Sequence, residues 1–278
     1  MNQDISICVL TENEMGWTEP FELDKVQILD NYYLSAQKSD IAFLKKMDTA
    51  RLLAGFRTTA GIDTKGVRPY GGWEDSLLGG HCVGHYLTAL AQAVKVTGDK
   101  ELKEKSQTLI AGLEECQKKL GTGFLFGAKV EDKEDVEKQF DILEGKKKGE
   151  TWVPWYNMHK VLAGLVDTYK YTGNETALLV AEKLGDWIYE RVSKWDLKTN
   201  QKVLETEYGG MNDCLYELYS YSHNKHHLEA AQKFDEKALF LMAAKGEKNC
   251  LDGKHANTQI PKFIGAIKRY NVLKQLGE

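Results

Sequence analysis

Residues 159–192 read HKVLAGLVDTYKYTGNETALLVAEKLGDWIYERV, and this stretch decides the fold. Its first half is apolar over most of a helical circumference, through Val161, Leu162, Leu165, Val166 and Tyr169. Its second half carries a single apolar stripe, Leu178, Ala181, Leu184, Ile188 and Val192, with charged residues elsewhere. Between them stands Thr172-Gly173-Asn174, where Gly suits the left-handed position after a helix and Asn suits the cap of the next one. A helix covered on most sides is an inner helix, and one with a charged face is an outer helix. The stretch therefore predicts an inner–outer helical hairpin.

The same plan recurs on both sides. Residues 85–117, HYLTALAQAVKVTGDKELKEKSQTLIAGLEECQ, turn at Thr97-Gly98-Asp99 and carry the outer stripe Leu102, Leu109, Leu113 and Cys116, which Leu120 continues just beyond. Residues 214–234, CLYELYSYSHNKHHLEAAQKF, are a more degenerate copy with its turn at His223-Asn224-Lys225. Only four prolines interrupt the 278 residues, which leaves room for long helices. Repeated inner–outer hairpins predict an all-α protein, an α/α toroid or a helical solenoid. Roughly four hairpin starts plus N-terminal helical material at 24–54 are too few to close such a ring, so the toroid is expected to be incomplete. The expected organisation is an N-terminal extension at 1–20 and a toroid segment at 21–278.

Bulk properties narrow the function classes. An apolar fraction of 42% supports a substantial core. A net charge of -4 argues against a dedicated nucleic-acid binder. The chain has no apolar run long enough for a bilayer and no signal-peptide pattern at its start, so the expectation is a cytoplasmic protein without a membrane partner. Cys8, Cys82, Cys116, Cys214 and Cys250 are widely spaced and form no CxxC, which fits reduced thiols better than a disulfide framework or structural zinc.

Polar and aromatic groups gather before the inner helices. Trp73, Glu74 and His81 precede or open the first, in GGWEDSLLGGHCVGHY at 71–86. Trp152, Trp155, Asn157 and His159 sit in TWVPWYNMHK at 151–160. Glu205, Glu207 and Asn212 fall in ETEYGGMNDC at 205–214, and His255, Asn257 and Gln259 open GKHANTQIPKFIGAI at 253–267. If the hairpins circle an axis, these groups share one mouth. Indole faces stack on sugar C–H surfaces while amides, carboxylates and imidazoles read hydroxyls, so a carbohydrate pocket is expected there.

Each candidate has a plainer reading. His81 and His85 have the i, i+4 spacing of two ligands on one helix face, but Cys82 stands where a metalloprotease helix carries Glu. The pair is read as one pocket histidine and one core histidine, with no metal assigned. Asp213 is read as a cap, while Glu74 and Glu207 are balanced between capping and pocket roles. His223, His226 and His227 lie in a turn and are read as solvent-exposed. The long connection at 121–153 is either a functional insertion or, over 131–148, a solvated charged loop.

Several blocks carry a family resemblance: FELDKVQILD (21–30), RLLAGFR (51–57), PYGGWE (69–74), GHCVGHYLTALA (80–91), VPWYNMHKVLAGLVDTYKYTGN (153–174), TEYGGMND (206–213) and HANTQIPKFIGA (255–266). In this order they resemble glycoside hydrolase family 127, the β-L-arabinofuranosidases. The resemblance implies a six-hairpin toroid followed by β-sandwich domains. It also implies retaining hydrolysis of terminal β-L-arabinofuranosides through a zinc-bound cysteine nucleophile and a glutamate acid/base. In the family those catalytic residues follow the block at 255–266, and here they are expected to lie beyond Glu278. None is therefore transferred to a residue of this chain, and zinc is implied only for the full-length enzyme. What transfers is the pocket wall: Trp73, Glu74, His81, Trp155 and Asn157, with His159, Glu207, Asn212, His255 and Gln259.

The resulting expectation is the N-terminal part of a glycoside hydrolase with an arabinofuranoside or oligosaccharide substrate, catalytically incomplete alone. Such a segment would associate with a missing C-terminal half or with itself. Two alternatives stand beside it: a sugar epimerase using His159 and His255, and a non-catalytic saccharide- or partner-binding toroid fragment.

Overall fold

The computed structural model describes residues 21–130, 132–206 and 208–277. The expected extension at 1–20 therefore lies outside the described residues, as do the pocket candidate Glu207 and the last residue, Glu278. The expectation that the acid/base and nucleophile follow Glu278 concerns no described residue. Every regular element among the described residues is helical. Two helices, α1 (Asn31–Lys46) and α2 (Thr49–Thr59), precede the first hairpin, α3 (His81–Thr97) with α4 (Lys100–Leu120). A short α5 (Lys138–Leu143) lies in the long connection to the second hairpin, α6 (Pro154–Thr172) with α7 (Glu175–Val192). Then come α8 (Leu197–Glu205), the third hairpin α9 (Met211–Ser222) with α10 (Lys225–Lys233), α11 (Lys237–Ala244), and the fourth inner helix, α12 (Ala256–Leu276).

The hairpin turns use the chemistry expected from the sequence. Gly98 and Gly173 close α3 and α6 in the left-handed region, at φ 66° and 68°. His223 takes that conformation at the third turn, at φ 51°. Asp99, Asn174 and Asn224 then cap the following helices, their side-chain oxygens accepting backbone N–H bonds. Along the inside, α3 packs on α6, α6 on α9 and α9 on α12; along the outside, α2 meets α4, α4 meets α7 and α7 meets α10. This is the all-α, toroid-type arrangement of inner and outer helices.

Glycine sets how closely α3 and α6 approach. A Cβ at Gly84 would stand 1.8 Å from the Lys160 carbonyl oxygen, so the two backbones touch there. That contact fixes the N-terminal ends of α3 and α6 against each other.

The long connection is structural rather than a solvated loop. Phe124, Leu125, Phe126 and Ala128 are buried. Phe124 and Phe126 meet Phe140 of α5, which in turn packs edge-on to Trp155 at 4.9 Å and Trp187 at 5.3 Å. Its charges are also engaged: the buried Arg191 guanidinium binds Glu137 at 2.9 Å, Asp141 at 2.5 Å and Glu144 at 2.6 Å. The turn histidines separate as well. His223 and His226 are exposed, but His227 is fully buried, its Nδ1 2.8 Å from Ser222 Oγ and its Nε2 3.2 Å from the Glu182 carbonyl. The expectation of exposure fails there because Gly185 of α7 makes room for the ring.

The two ends of the helical series stay apolar on the outside. Ile260, Ile264, Ile267 and Tyr270 of α12 all face solvent, as do Leu29, Tyr32 and Phe43 at and before α1.

Candidate functional site

The lead-in to α3 is built around a passing strand of backbone. The segment at 124–128 runs beneath Gly79 and Gly80, and a Cβ on Gly80 would come within 2.8 Å of the Gly127 Cα. Gly80 is also the N-cap of α3, at φ 93°, and has no side chain to satisfy the first helical N–H groups. Glu74, held in the short 3-10 turn Gly72–Asp75, supplies that function from upstream. Its Oε2 accepts from the Gly80 N–H at 2.9 Å and its Oε1 from the Cys82 N–H at 3.2 Å. The question left open by the sequence for Glu74 has a clear structural answer: the carboxylate caps the helix.

His81 continues this network. Its Nδ1 lies 2.9 Å from Glu74 Oε1 and 2.8 Å from the Leu78 carbonyl oxygen, so it faces two acceptors and carries a proton. Nε2 points the other way, 3.6 Å from Cys82 Sγ. Burial alone would lower the His81 pKa, but the contacts with Cys82 and Glu74 outweigh it and hold the imidazole up to about 10. Burial acts on Glu74 in the opposite sense, and there the hydrogen bonds from His81, Gly80 and Cys82 win, leaving its carboxyl below the usual range. Trp73, 67% exposed, stands beside His81 with ring centres 6.3 Å apart.

His85 corrects an expectation. It lies on the solvent side of α3 rather than in the core, edge-on to His81 at 6.2 Å. The surrounding protein, with the charges of Lys160 and His81, pushes its pKa down to about 4.

Four of the other candidates lace the inner helices together near their N-termini. Asn157 Nδ2 donates to the Leu78 carbonyl at 3.1 Å and to the Gly79 carbonyl, tying α6 to the lead-in of α3. The Gly210 N–H donates to His159 Nδ1 at 3.1 Å, tying α9 to α6. Burial, then the nearby positive charge of Lys160, keeps His159 well below the normal histidine range, so it is neutral. Asn212 Nδ2 donates to the Lys262 carbonyl at 3.1 Å and to Asp235 at 3.3 Å, tying α9 to α12. Asn257 Nδ2 donates to the Tyr156 hydroxyl at 2.9 Å, which completes the lacing between α12 and α6.

Trp155 is not on the wall: it is fully buried among Phe140, Trp187, Trp195 and Phe234. His255 is exposed at the start of α12. Gln259 borders a cleft of about 1110 Å³ between α8, α10, α11 and α12, with Glu205, Asp235, Glu236 and Lys262 on the same walls.

Two groups were missed by sequence reasoning. Cys82 escaped because its i, i+1 partner His81 reaches it only through the ring orientation that Glu74 imposes. The other is a charged line across the inner helices: Lys170 to Glu217 at 2.7 Å, Glu217 to Lys268 at 2.7 Å, and Lys268 to Asp213 at 2.8 Å. Asp213, read as a cap, is thus an ion-pair partner of α12. The i, i+4 spacing of Asp213 and Glu217 was a usable signal for this line.

With this geometry in place, comparison with known proteins places the chain. The family model for the GH127 catalytic domain, described as β-L-arabinofuranosidase, matches residues 25–276. The chain belongs to this family. Among solved structures, the GH127 fold recurs in a β-L-arabinofuranosidase from Geobacillus stearothermophilus T6, with TM-score 0.56 and 16% identity over 91% of this chain and 42% of that one. A second GH127 β-arabinofuranosidase gives TM-score 0.60 and 16% identity over 92% of this chain and 41% of that one. The chain thus spans less than half the length of the solved GH127 enzymes it matches. No significant match was found among curated proteins. Among the described residues no helix is long and apolar enough to cross a membrane.

The zinc and nucleophile that the GH127 resemblance implies do not fit the buried cysteines of this chain. Cys214 is fully buried, and burial drives its thiol well above the normal range. Burial likewise pushes the Cys116 thiol up to about 12. No step is derived through that zinc.

Proposed function

We propose that this chain forms the first part of the catalytic toroid of a glycoside hydrolase acting on terminal β-L-arabinofuranosides. Its share of the work is one wall of the sugar pocket. The observation that carries this reading is the family match over residues 25–276, on a fold whose inner-helix mouth displays an exposed indole beside a charged imidazole. Trp73 offers the stacking face, His81 a hydrogen-bond donor to a hydroxyl, and His255 an exposed polar group on the far side. Asn157, His159 and Asn212 act behind them by holding four helix ends in register. This reading assigns neither the acid/base nor the nucleophile to a residue of this chain. A reducing, cytoplasmic setting agrees with four unpaired cysteines among the described residues.

The epimerase alternative loses support. His159 is buried, with its Nδ1 accepting from the Gly210 N–H, while His255 is exposed.

The test is hydrolysis of aryl and oligosaccharide arabinofuranosides by the full-length gene product. Trp73→Ala is expected to raise KM about tenfold, the effect of losing roughly 1.4 kcal/mol of stacking, with kcat little changed. If the full-length enzyme and this chain turn over no arabinofuranoside, with or without added zinc, the substrate assignment falls.

A further inference from the structure

We propose that His81, Cys82 and His85, oriented by Glu74, form a binding site for a borderline-soft divalent cation, with zinc the best match. The site is separate from the Glu-x-Cys motif implied by the family resemblance, and an ion bound here takes up the His81 Nε2 that would otherwise donate to a sugar hydroxyl. One donor atom each from Glu74, His81 and Cys82 lies within 4.8 Å of the others. A tetrahedral zinc bound to one sulfur at ~2.3 Å and one nitrogen at ~2.05 Å holds those two ligand atoms about 3.5 Å apart. Cys82 Sγ and His81 Nε2 are already 3.6 Å apart. The backbone has thus set the bite of a bidentate chelate before any ion arrives.

Orientation supports the same assignment. A metal-bound imidazole usually donates its other N–H to a carboxylate or carbonyl, which fixes the ring and raises its basicity. His81 Nδ1 faces both, Glu74 Oε1 at 2.9 Å and the Leu78 carbonyl at 2.8 Å. Glu74 is itself pinned by the Gly80 and Cys82 N–H groups, so it cannot swing into the coordination sphere without uncapping α3. It is a positioning residue.

His85 sits one turn along the same face, edge-on to His81 with ring centres 6.2 Å apart. Two imidazoles sharing a tetrahedral ion have centres ~5 Å apart, which a side-chain torsion of the exposed His85 supplies. Cys82 is half-buried and His85 exposed, so solvent can reach the ion and fill the fourth position. Imidazole nitrogen plus thiolate is a donor set that favours zinc over magnesium or calcium. Binding releases the Cys82 thiol proton and any proton on His81 Nε2 to solvent.

The test uses this chain, stripped of metal with a chelator and titrated with cobalt(II). The expected result is a near-ultraviolet thiolate-to-cobalt charge-transfer band that saturates at one ion per chain and is abolished by added zinc. Cys82→Ser should remove the band while circular dichroism and thermal unfolding of the apo-protein stay unchanged. His85→Ala, at an exposed position, should weaken binding, and Glu74→Gln should weaken it about 10- to 100-fold. No band, or a band that survives in Cys82→Ser, overturns the proposal.

Discussion

At the residue scale, α3 depends on a carboxylate six positions upstream of its cap. Gly80 was forced on the position twice, by its positive φ and by the Gly127 backbone 2.8 Å from where a Cβ would go. Glu74 then replaced the missing capping side chain. Gly80→Ala should therefore destabilise the fold by at least about 2 kcal/mol, combining left-handed strain with backbone overlap. Chemical denaturation would measure it, and a loss under half that size would contradict the close approach. The sequence showed the Gly-Gly pairs and the Glu. Which backbone passed beneath them was invisible, since Gly127 lies far along the chain in an insertion.

At the element scale, that insertion is fastened to α7 through Arg191. Its guanidinium is buried with Glu137, Asp141 and the fully buried Glu144 side chain. Arg191→Met leaves the Glu144 charge with only the half-exposed Lys146 as partner. The loss should be about 3 kcal/mol, the low end for a broken buried pair, read from urea unfolding. The same ion pairs give a pH dependence with a definite sign. Burial raises the Asp141 pKa, but Lys147 and Arg191 outweigh it and hold the carboxyl below its ordinary value. Burial likewise raises Glu217, and Lys268 and Lys170 outweigh it. Both carboxylates thus titrate lower in the folded state than in the unfolded one. Their stabilisation is fully present above the unfolded carboxylate pKa of ~4 and is lost as pH falls through the depressed folded values. Tm should hold steady down to about pH 4 and then fall steeply. In Arg191→Met the acid limb should be shallower, because Asp141 then titrates closer to its unfolded value, and an unchanged limb would show that Arg191 does not set it.

At the scale of the whole molecule, the inner–outer series ends on open faces. Ile260, Ile264, Ile267 and Tyr270 form one exposed apolar side of α12, the side on which a further inner helix of a toroid would pack. This 278-residue chain, expressed alone, is expected to self-associate through that side. Sedimentation velocity should show concentration-dependent oligomers that Ile264→Glu with Ile267→Glu returns to monomer. A compact monomer of the parent chain would remove α12 as the contact. The hairpins, their turns and the inner–outer alternation were all legible in the sequence, because helix periodicity and capping chemistry act within a few residues of one another. So was the gathering of Trp73, Glu74, His81, Asn157, His159 and Asn212 at helix starts. Their division of labour was decided only by tertiary structure. Trp155 became core because Phe140 and Trp187 close over it, His85 turned outward to solvent, and Asn157, His159 and Asn212 were spent on backbone groups of neighbouring helices. A buried backbone amide or carbonyl that lacks water must find a partner, and which helix supplies it is fixed by how the hairpins stack, which local sequence does not encode.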